Sequence, residues 1–268
     1  PEVYLGQPRY WCDGLGETTG APGLAVTKKR IVIAKMYEKR LECYDRTTLE
    51  LEKSIALEGA PVGLCREAGE TVLAVVGKSI VRVSLDDGKI ATVVKEGMLE
   101  APVCVTKDSK GFIYATDWGA SHDVKKFSPD GTLVRTIGKK GGRPFKGRFD
   151  EGGMLIPHGL AVVGESLFVA EADLAPRRIS RWHAETGAFE KNWLGAMAYC
   201  GATQLWFNPP EDDVIHLNGC KLRVDWKKGA WSLEETEFRP LWHDEVFIPN
   251  PEYGMFNGRM APFSRGGR

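Results

Sequence analysis

The chain has 268 residues, with 36 basic and 36 acidic side chains and a formal net charge of zero. Hydrophobic residues make up 43% and charged residues 27%, a globular balance that excludes a disordered tail, a collagen-like chain and a disulfide mini-scaffold. Neutrality also removes the simplest electrostatic argument for nucleic-acid binding, while leaving room for a local basic patch.

No apolar run reaches the roughly 18 residues that a membrane-spanning helix needs. No signal peptide is visible, and the chain opens Pro1-Glu2-Val3-Tyr4 without an initiating Met. It therefore reads as processed or as a piece of a larger protein, and no compartment is assigned. Cys12, Cys43, Cys65, Cys104, Cys200 and Cys220 are scattered without a C-x-x-C pair. They read as buried thiols rather than as a zinc ribbon or a disulfide framework. The 31 Gly and 15 Pro exceed an average share and suit a turn-rich fold.

A small residue, a Pro and a short apolar run recur along the chain. The copies are Ala21-Pro22-Gly23-Leu24, Ala60-Pro61-Val62-Gly63-Leu64, Ala101-Pro102-Val103-Cys104-Val105 and Ile156-Pro157-His158-Gly159-Leu160, with a weaker one at Gly201-Ala202-Thr203-Gln204-Leu205. The prolines are 39, 41 and 55 residues apart, and the long step holds an insertion, Lys139 to Leu155. In the third unit the strands are expected at Val103–Thr106, Phe112–Thr116, Val124–Phe127 and Thr132–Ile137. In the fourth they are expected at Leu160–Val163, Ser166–Ala170, Arg177–Trp182 and Ala188–Leu194. Gly88, Gly131, Gly187 and Gly229 mark the turn before the last strand, where a tight hairpin calls for positive φ.

Four short strands per roughly 40 residues describe a β-propeller blade. A lone blade cannot bury both faces of its sheet, whereas stacked neighbours can. Alternation in Ile80-Val81-Arg82-Val83 and Leu41-Glu42-Cys43-Tyr44 fits such a sheet, and no stretch sustains a 3.6-residue apolar period. The expected fold is all-β, a propeller of four-stranded blades with five units visible and a partial sixth. The single domain would span residues 1–268.

The third and fourth units resemble the NHL-repeat β-propeller family. The residues that carry the likeness are Phe112-Ile113-Tyr114-Ala115-Thr116-Asp117-Trp118-Gly119, Val124 through Gly131, Pro157-His158-Gly159-Leu160-Ala161-Val162, and Leu167 through Ala172. The Gly-rich spacer Gly138 to Phe149 matches as well, and the likeness covers roughly residues 20–238. The resemblance implies six blades and a loop face built from the strand-two-to-three loops and the interblade linkers. On that face it places Asp117–Asp123, Glu171–Arg178, Leu217–Gly219 and the insertion.

His158 follows the Pro that begins an inner strand, so it is expected near the channel mouth. Related amidating lyases hold zinc with histidines at such positions. Here the aligned residues are Gly23, Val62, Val103 and Ala202, and a lone His is not a zinc site. Asp117 and Asp173 sit in equivalent loops near Glu171. They could bind Ca²⁺ or act as general acid and base, or simply accept bonds from their own loops. Gluconolactonase-like propellers hold a metal with Glu, Asn and Asp. Asn218 could contribute, but Lys35 and Val76 stand where the first two units would need acids. Trp118 could stack on a sugar or base, with His122 beside it. Lys139, Lys140, Arg143, Lys146 and Arg148, with Arg177 and Arg178, suggest either a basic patch or a solvated linker. Trp182, Trp206, Trp226 and Trp231 are expected to pack blades.

The expected function is a ligand- or partner-binding scaffold using His158, Asp117, Trp118, His122, Glu171, Asp173, Arg177 and Asn218. The ligand would be a protein, a small molecule or a glycan, with nucleic acid less favoured. The alternative is a metal-dependent hydrolase or lyase, with Ca²⁺ the ion considered. No catalytic motif such as G-x-S-x-G or H-E-x-x-H is present.

Overall fold

A computed structural model describes residues 22–144, 147–171, 177–195, 205–208, 211–217 and 220–236. Among them there is no helix, so none is long and apolar enough to cross a membrane. The first sheet is β1 (Gly23–Val26), β2 (Arg30–Lys35), β3 (Arg40–Asp45) and β4 (Leu51–Ala56). The second is β5 (Pro61–Arg66), β6 (Thr71–Val76), β7 (Ser79–Ser84) and β8 (Ile90–Val94). The third is β9 (Pro102–Lys107), β10 (Ile113–Asp117), β11 (Asp123–Phe127) and β12 (Leu133–Ile137). An irregular linker carries the two-residue strand β13 (Gly147–Arg148) to the fourth sheet, β14 (Pro157–Val163), β15 (Ser166–Glu171), β16 (Arg178–His183) and β17 (Phe189–Leu194). The fifth is β18 (Leu205–Asn208), β19 (Glu211–Leu217), β20 (Cys220–Asp225) and β21 (Ala230–Thr236).

Within each sheet the four consecutive strands pair antiparallel in chain order. Local chemistry fixes that meander. Gly88, Gly131, Gly187 and Gly229 have φ of 74°, 88°, 74° and 60°, so each sits in the left-handed region that the turn before the last strand requires. The fold is a β-propeller of four-stranded sheets, as the strand spacing leads one to expect.

Period-two alternation gives every sheet two faces, and the faces bury one another. Val32, Ala34, Leu41 and Cys43 of the first sheet pack on Val72, Ala74, Val81 and Val83 of the second. The second sheet turns Leu73, Val75, Ile80 and Val94 toward Val105, Ile113, Ala115 and Phe127 of the third. The third turns Tyr114, Val124 and Ile137 toward Leu167, Val169 and Trp182 of the fourth. Inner strands β1, β5, β9 and β14 are neighbours in that order. Cys43 is buried, and Cys65 and Cys104 are half-buried, all as free thiols. Burial pushes the pKa of each thiol up, which keeps them protonated and unreactive at neutral pH.

The fifth sheet departs from the simple stack. Its outer strand β21 takes β13 as a further partner, with Gly147 opposite Thr236 and Arg148 opposite Glu235. The 139–155 insertion is thus a strand donor to the fifth sheet as well as a spacer. Leu222 and Leu233 of the fifth sheet pack, with Trp118, on Leu155 and Ile156 at the junction of sheets three and four. Trp182 is buried, as expected of a blade-packing residue. Trp226 lies instead in the turn after β20, and Trp226 and Trp231 are 58% and 56% exposed. The side chain of Trp206 lies outside the described residues.

Close approach of neighbouring inner strands has one clear dependence on glycine. A Cβ on Gly63 would overlap the Val103 carbonyl oxygen and lie 3.0 Å from Cys104 Cα. Both atoms belong to the backbone of the next sheet, which cannot rotate away. Gly63→Ala is expected to cost about 1–3 kcal/mol by prising the second and third sheets apart. Guanidinium unfolding of variant and wild type checks this, and an unchanged midpoint would contradict it.

Candidate functional site

The loop between β10 and β11 and the linker before β14 meet at one end of the third and fourth sheets. Asp117 closes the loop's base. It is fully buried and accepts bonds from the backbone N–H groups of Ala101 (2.7 Å) and Glu100 (3.0 Å). Lys125 Nζ donates to Asp117, to Asp123 at 3.2 Å and to the Ser121 hydroxyl at 3.3 Å. Burial pulls the Lys125 pKa down, but its bond to Asp117 and its attraction to Asp123 outweigh that and leave it above the usual value. Burial raises the Asp123 pKa against the pull of Lys125. Asp117 therefore organises the loop, one of the two roles its residue type suggests.

Two bonds tie this loop to the start of β14. Trp118 Nε1 donates to the Pro157 carbonyl at 2.7 Å, and the Ile156 N–H donates to His122 Nδ1 at 3.1 Å. His122 and Ile156 have φ of 46° and 49°. Left-handed backbone is costly for a β-branched residue such as Ile, so the bond joins two strained positions. Gly142 wedges beside them, because a Cβ there would overlap the Met154 carbonyl and lie 2.6 Å from His122 Cβ. Burial lowers the His122 pKa, Arg143 adds to that, and Asp117 and Glu100 oppose it. The imidazole is thus neutral at pH 7, with its proton on Nε2 and Nδ1 free to accept from Ile156.

The linker is clamped from below by Glu171 at the end of β15. Arg143 donates from Nε (3.0 Å) and Nη2 (2.7 Å) to Glu171 Oε2, and Arg178 donates from Nη1 to Oε1 at 3.1 Å. Arg178 also donates to the Gly153 carbonyl at 2.6 Å and to the Glu151 carbonyl. All three charged side chains are fully buried. Burial pulls the Arg178 pKa below the usual value, with Glu171 opposing and Arg143 reinforcing that pull. The Phe149 ring lies 5.2 Å from the Arg143 guanidinium and 5.6 Å from that of Arg178, and its N–H donates to the Glu234 carbonyl of β21 at 2.7 Å. The cationic run of the insertion is therefore not one surface. Arg143 is internal, and Lys139 pairs with Asp150 at 2.6 Å.

His158 stands apart from this bracing. It is exposed at the inner end of β14, with its ring 5.6 Å from Trp118 and tilted by 52°. No hydrogen bond to it occurs among the described residues. Although its surface is open, the protein around it desolvates the ring and lowers its pKa. Arg177 is exposed just before β16, and its carbonyl accepts from the Gly195 N–H. Asp173 and Asn218 lie outside the described residues. Among the described residues no three His, Cys, Asp or Glu side chains are grouped as metal ligands. The site thus brings together Trp118, His122 and His158, with Asp117 and Glu171 as supports. Sequence reasoning placed Arg143 only in a cationic run, and missed the bracing roles of Arg143, Phe149 and Ile156. The one signal for them was a Gly-rich insertion too long for a plain spacer.

No protein-family model matches the chain, and no curated protein matches it. Solved structures do. The chain is similar to hydrazine synthase of Kuenenia stuttgartiensis at 12% identity and a TM-score of 0.54, over 79% of this chain and 58% of that one. It therefore spans less than two thirds of that protein's chain. A nidogen/laminin complex matches at 17% identity and a TM-score of 0.49, over 79% and 80% of the two chains. A computationally designed protein, Ika8, matches at 13% identity and a TM-score of 0.47, over 80% and 57%. The first likeness bears on the fold alone and agrees with a propeller of four-stranded sheets.

Neutral His122 gives the loop junction a pH dependence. Its folded pKa lies below the unfolded value of about 6.5, so the unfolded chain binds the extra proton first. Stability is full above the unfolded value and falls as pH drops from there toward the lowered folded one. His158 contributes with the same sign. His122→Asn keeps a residue that tolerates left-handed backbone and removes the titration. Urea unfolding from pH 7.5 to pH 5 is expected to show a shallower loss in the variant than in wild type. Equal slopes would contradict the assignment.

Proposed function

We propose that this chain is an NHL-like propeller that works as a binding scaffold through the loop face at the junction of sheets three and four. It holds a rigid set of side chains in place and performs no chemistry of its own. His158 is the contact residue, Trp118 shapes its ring environment, and Arg177 lies at the border. Asp117, His122 and Glu171 fix the backbone that presents them. In this reading residues 1–268 form one domain.

One observation carries the proposal. Among the described residues, the side chains of Asp117, His122, Arg143 and Glu171 are committed to loop bracing, while the exposed His158 imidazole is not. A neutral imidazole offers one donor and one acceptor, which suits hydroxyl groups. An indole beside it suits the C–H face of a sugar ring. The ligand class that fits both is a glycan.

Binding is tested by titrating the full chain with neutral and acidic oligosaccharides, following the melting midpoint and tryptophan fluorescence. The expected result is a raised midpoint with at least one sugar class. Affinity should fall at least about tenfold in His158→Ala, with the ligand-free midpoint unchanged. No response to any sugar, or undiminished affinity in the variant, would overturn the proposal. A midpoint raised by Ca²⁺ alone would move the reading to a metal site, and binding of short RNA with a steep salt dependence would move it to nucleic acid.

A further inference from the structure

Each internal contact joins the face a sheet turns toward its successor, its leading face, to the trailing face of the next. Among the described residues, two faces belong to no core cluster, one at each end of the row of four. The trailing face of the first sheet carries Leu24 opposite Ile33 and Val26 opposite Ile31, and its outer strand adds Leu51 opposite Tyr44. Leu24 is 62% exposed and Leu51 is 52% exposed. The leading face of the fourth sheet carries Ala170, Ile179 and Trp193 in one cross-strand row. Ile179 is 49% and Trp193 41% exposed, and Trp193 stacks on Phe168 with ring centroids 6.2 Å apart. The fifth sheet is joined to this row at the loop face, through β13, Leu222 and Leu233.

Apolar area alone would not say what covers them. The cations at the rim do. In the first internal contact, Lys53 Nζ of β4 donates to the Asp86 carbonyl, in the turn after β7 of the next sheet, at 2.8 Å. In the third, Lys126 Nζ of β11 donates to the Ala184 carbonyl, in the turn after β16 of the next sheet, at 3.1 Å. Register places Lys191 where Lys53 stands, since Phe168, Arg181 and Lys191 line up as Val32, Cys43 and Lys53 do. It places Arg181 where Lys126 stands, beside Tyr114. The matching turn on the first sheet follows β3. Residues 46–50 of that turn are all exposed, and Leu49 at its tip is 64% exposed.

We propose that a second copy of this chain docks head to tail, with the leading face of its fourth sheet on the trailing face of the first sheet. The contact repeats the one the chain makes three times internally. Ile179 and Trp193 would bury Leu24, Val26 and Leu51, and Lys191 or Arg181 would reach carbonyls in the turn after β3. The two patches differ, so the interface is heterologous, and it closes into a ring or extends into a row.

Sedimentation of the full chain over a wide concentration range tests this. Wild type is expected to rise above its single-chain mass of 29.6 kDa as concentration increases. Trp193→Asp and Leu24→Asp each remove one half of the contact. Each alone should remain at single-chain mass, and a mixture of the two should form a complex of two chains, because each supplies the half the other lacks. Circular dichroism melts check that both variants fold; Ile179→Ser and Val26→Ser serve as a milder pair should either fail to do so. A wild type that stays at single-chain mass would mean that other parts of the same chain or a different protein cover these faces, and would overturn the proposal. So would a single variant that still associates, or a mixture that does not.

Discussion

The ion triad of Arg143, Glu171 and Arg178 is the interaction on which the loop face depends. Glu171 ends the second strand of the fourth sheet, Arg178 begins the third, and Arg143 belongs to the linker from the third sheet. Two guanidiniums on one buried carboxylate leave an excess positive charge, which the Gly153 and Glu151 carbonyls help to satisfy. Such a buried group need not add net stability over an apolar one, but losing one member leaves uncompensated charge in the interior. The geometry is thus specified sharply. It holds the linker down, aims Ile156 at His122, and lays Phe149 where its backbone can pair with β21.

The sheets supply the frame on which that linker rests. Each is too thin to fold alone, and each buries its alternating residues against the next, so stability passes from neighbour to neighbour along the row. The same alternation makes the ends of the row reactive toward further sheets. The fifth sheet answers a different need. Its Leu222 and Leu233 lie over Leu155 and Ile156, covering apolar atoms that the strained backbone before β14 would otherwise leave in water. The resulting surface combines a dry, fixed base with the exposed imidazole of His158.

The strands and turns were legible in the sequence because they are encoded locally. The repeated unit and its turn signals located β9 through β12 and β14 through β17 to within three residues, and the turn glycines occupy the left-handed backbone their positions imply. Much of the site was legible only as a neighbourhood. Asp117, Trp118, His122 and His158 do gather at one end of two adjacent sheets. Their roles were not readable, because each depends on a partner far along the chain: Trp118 on Pro157, His122 on Ile156 and Glu171 on Arg143. A run of cations looks the same in sequence whether it faces water or a buried carboxylate, so Arg143 could not be told from Lys139. Trp226 misled for the opposite reason, since an aromatic residue near a strand end reads as core until the turn is placed.

Amide hydrogen exchange on Glu171→Gln tests most directly the claim that the triad holds the loop face together. Removing the charge should release the linker and what the linker carries, leaving the first two sheets as they were. Loss of protection is expected in residues 139–156 and in strand β21 together, with unchanged exchange in β2, β3, β6 and β7. Protection lost evenly across all sheets, or retained in the linker, would contradict the account.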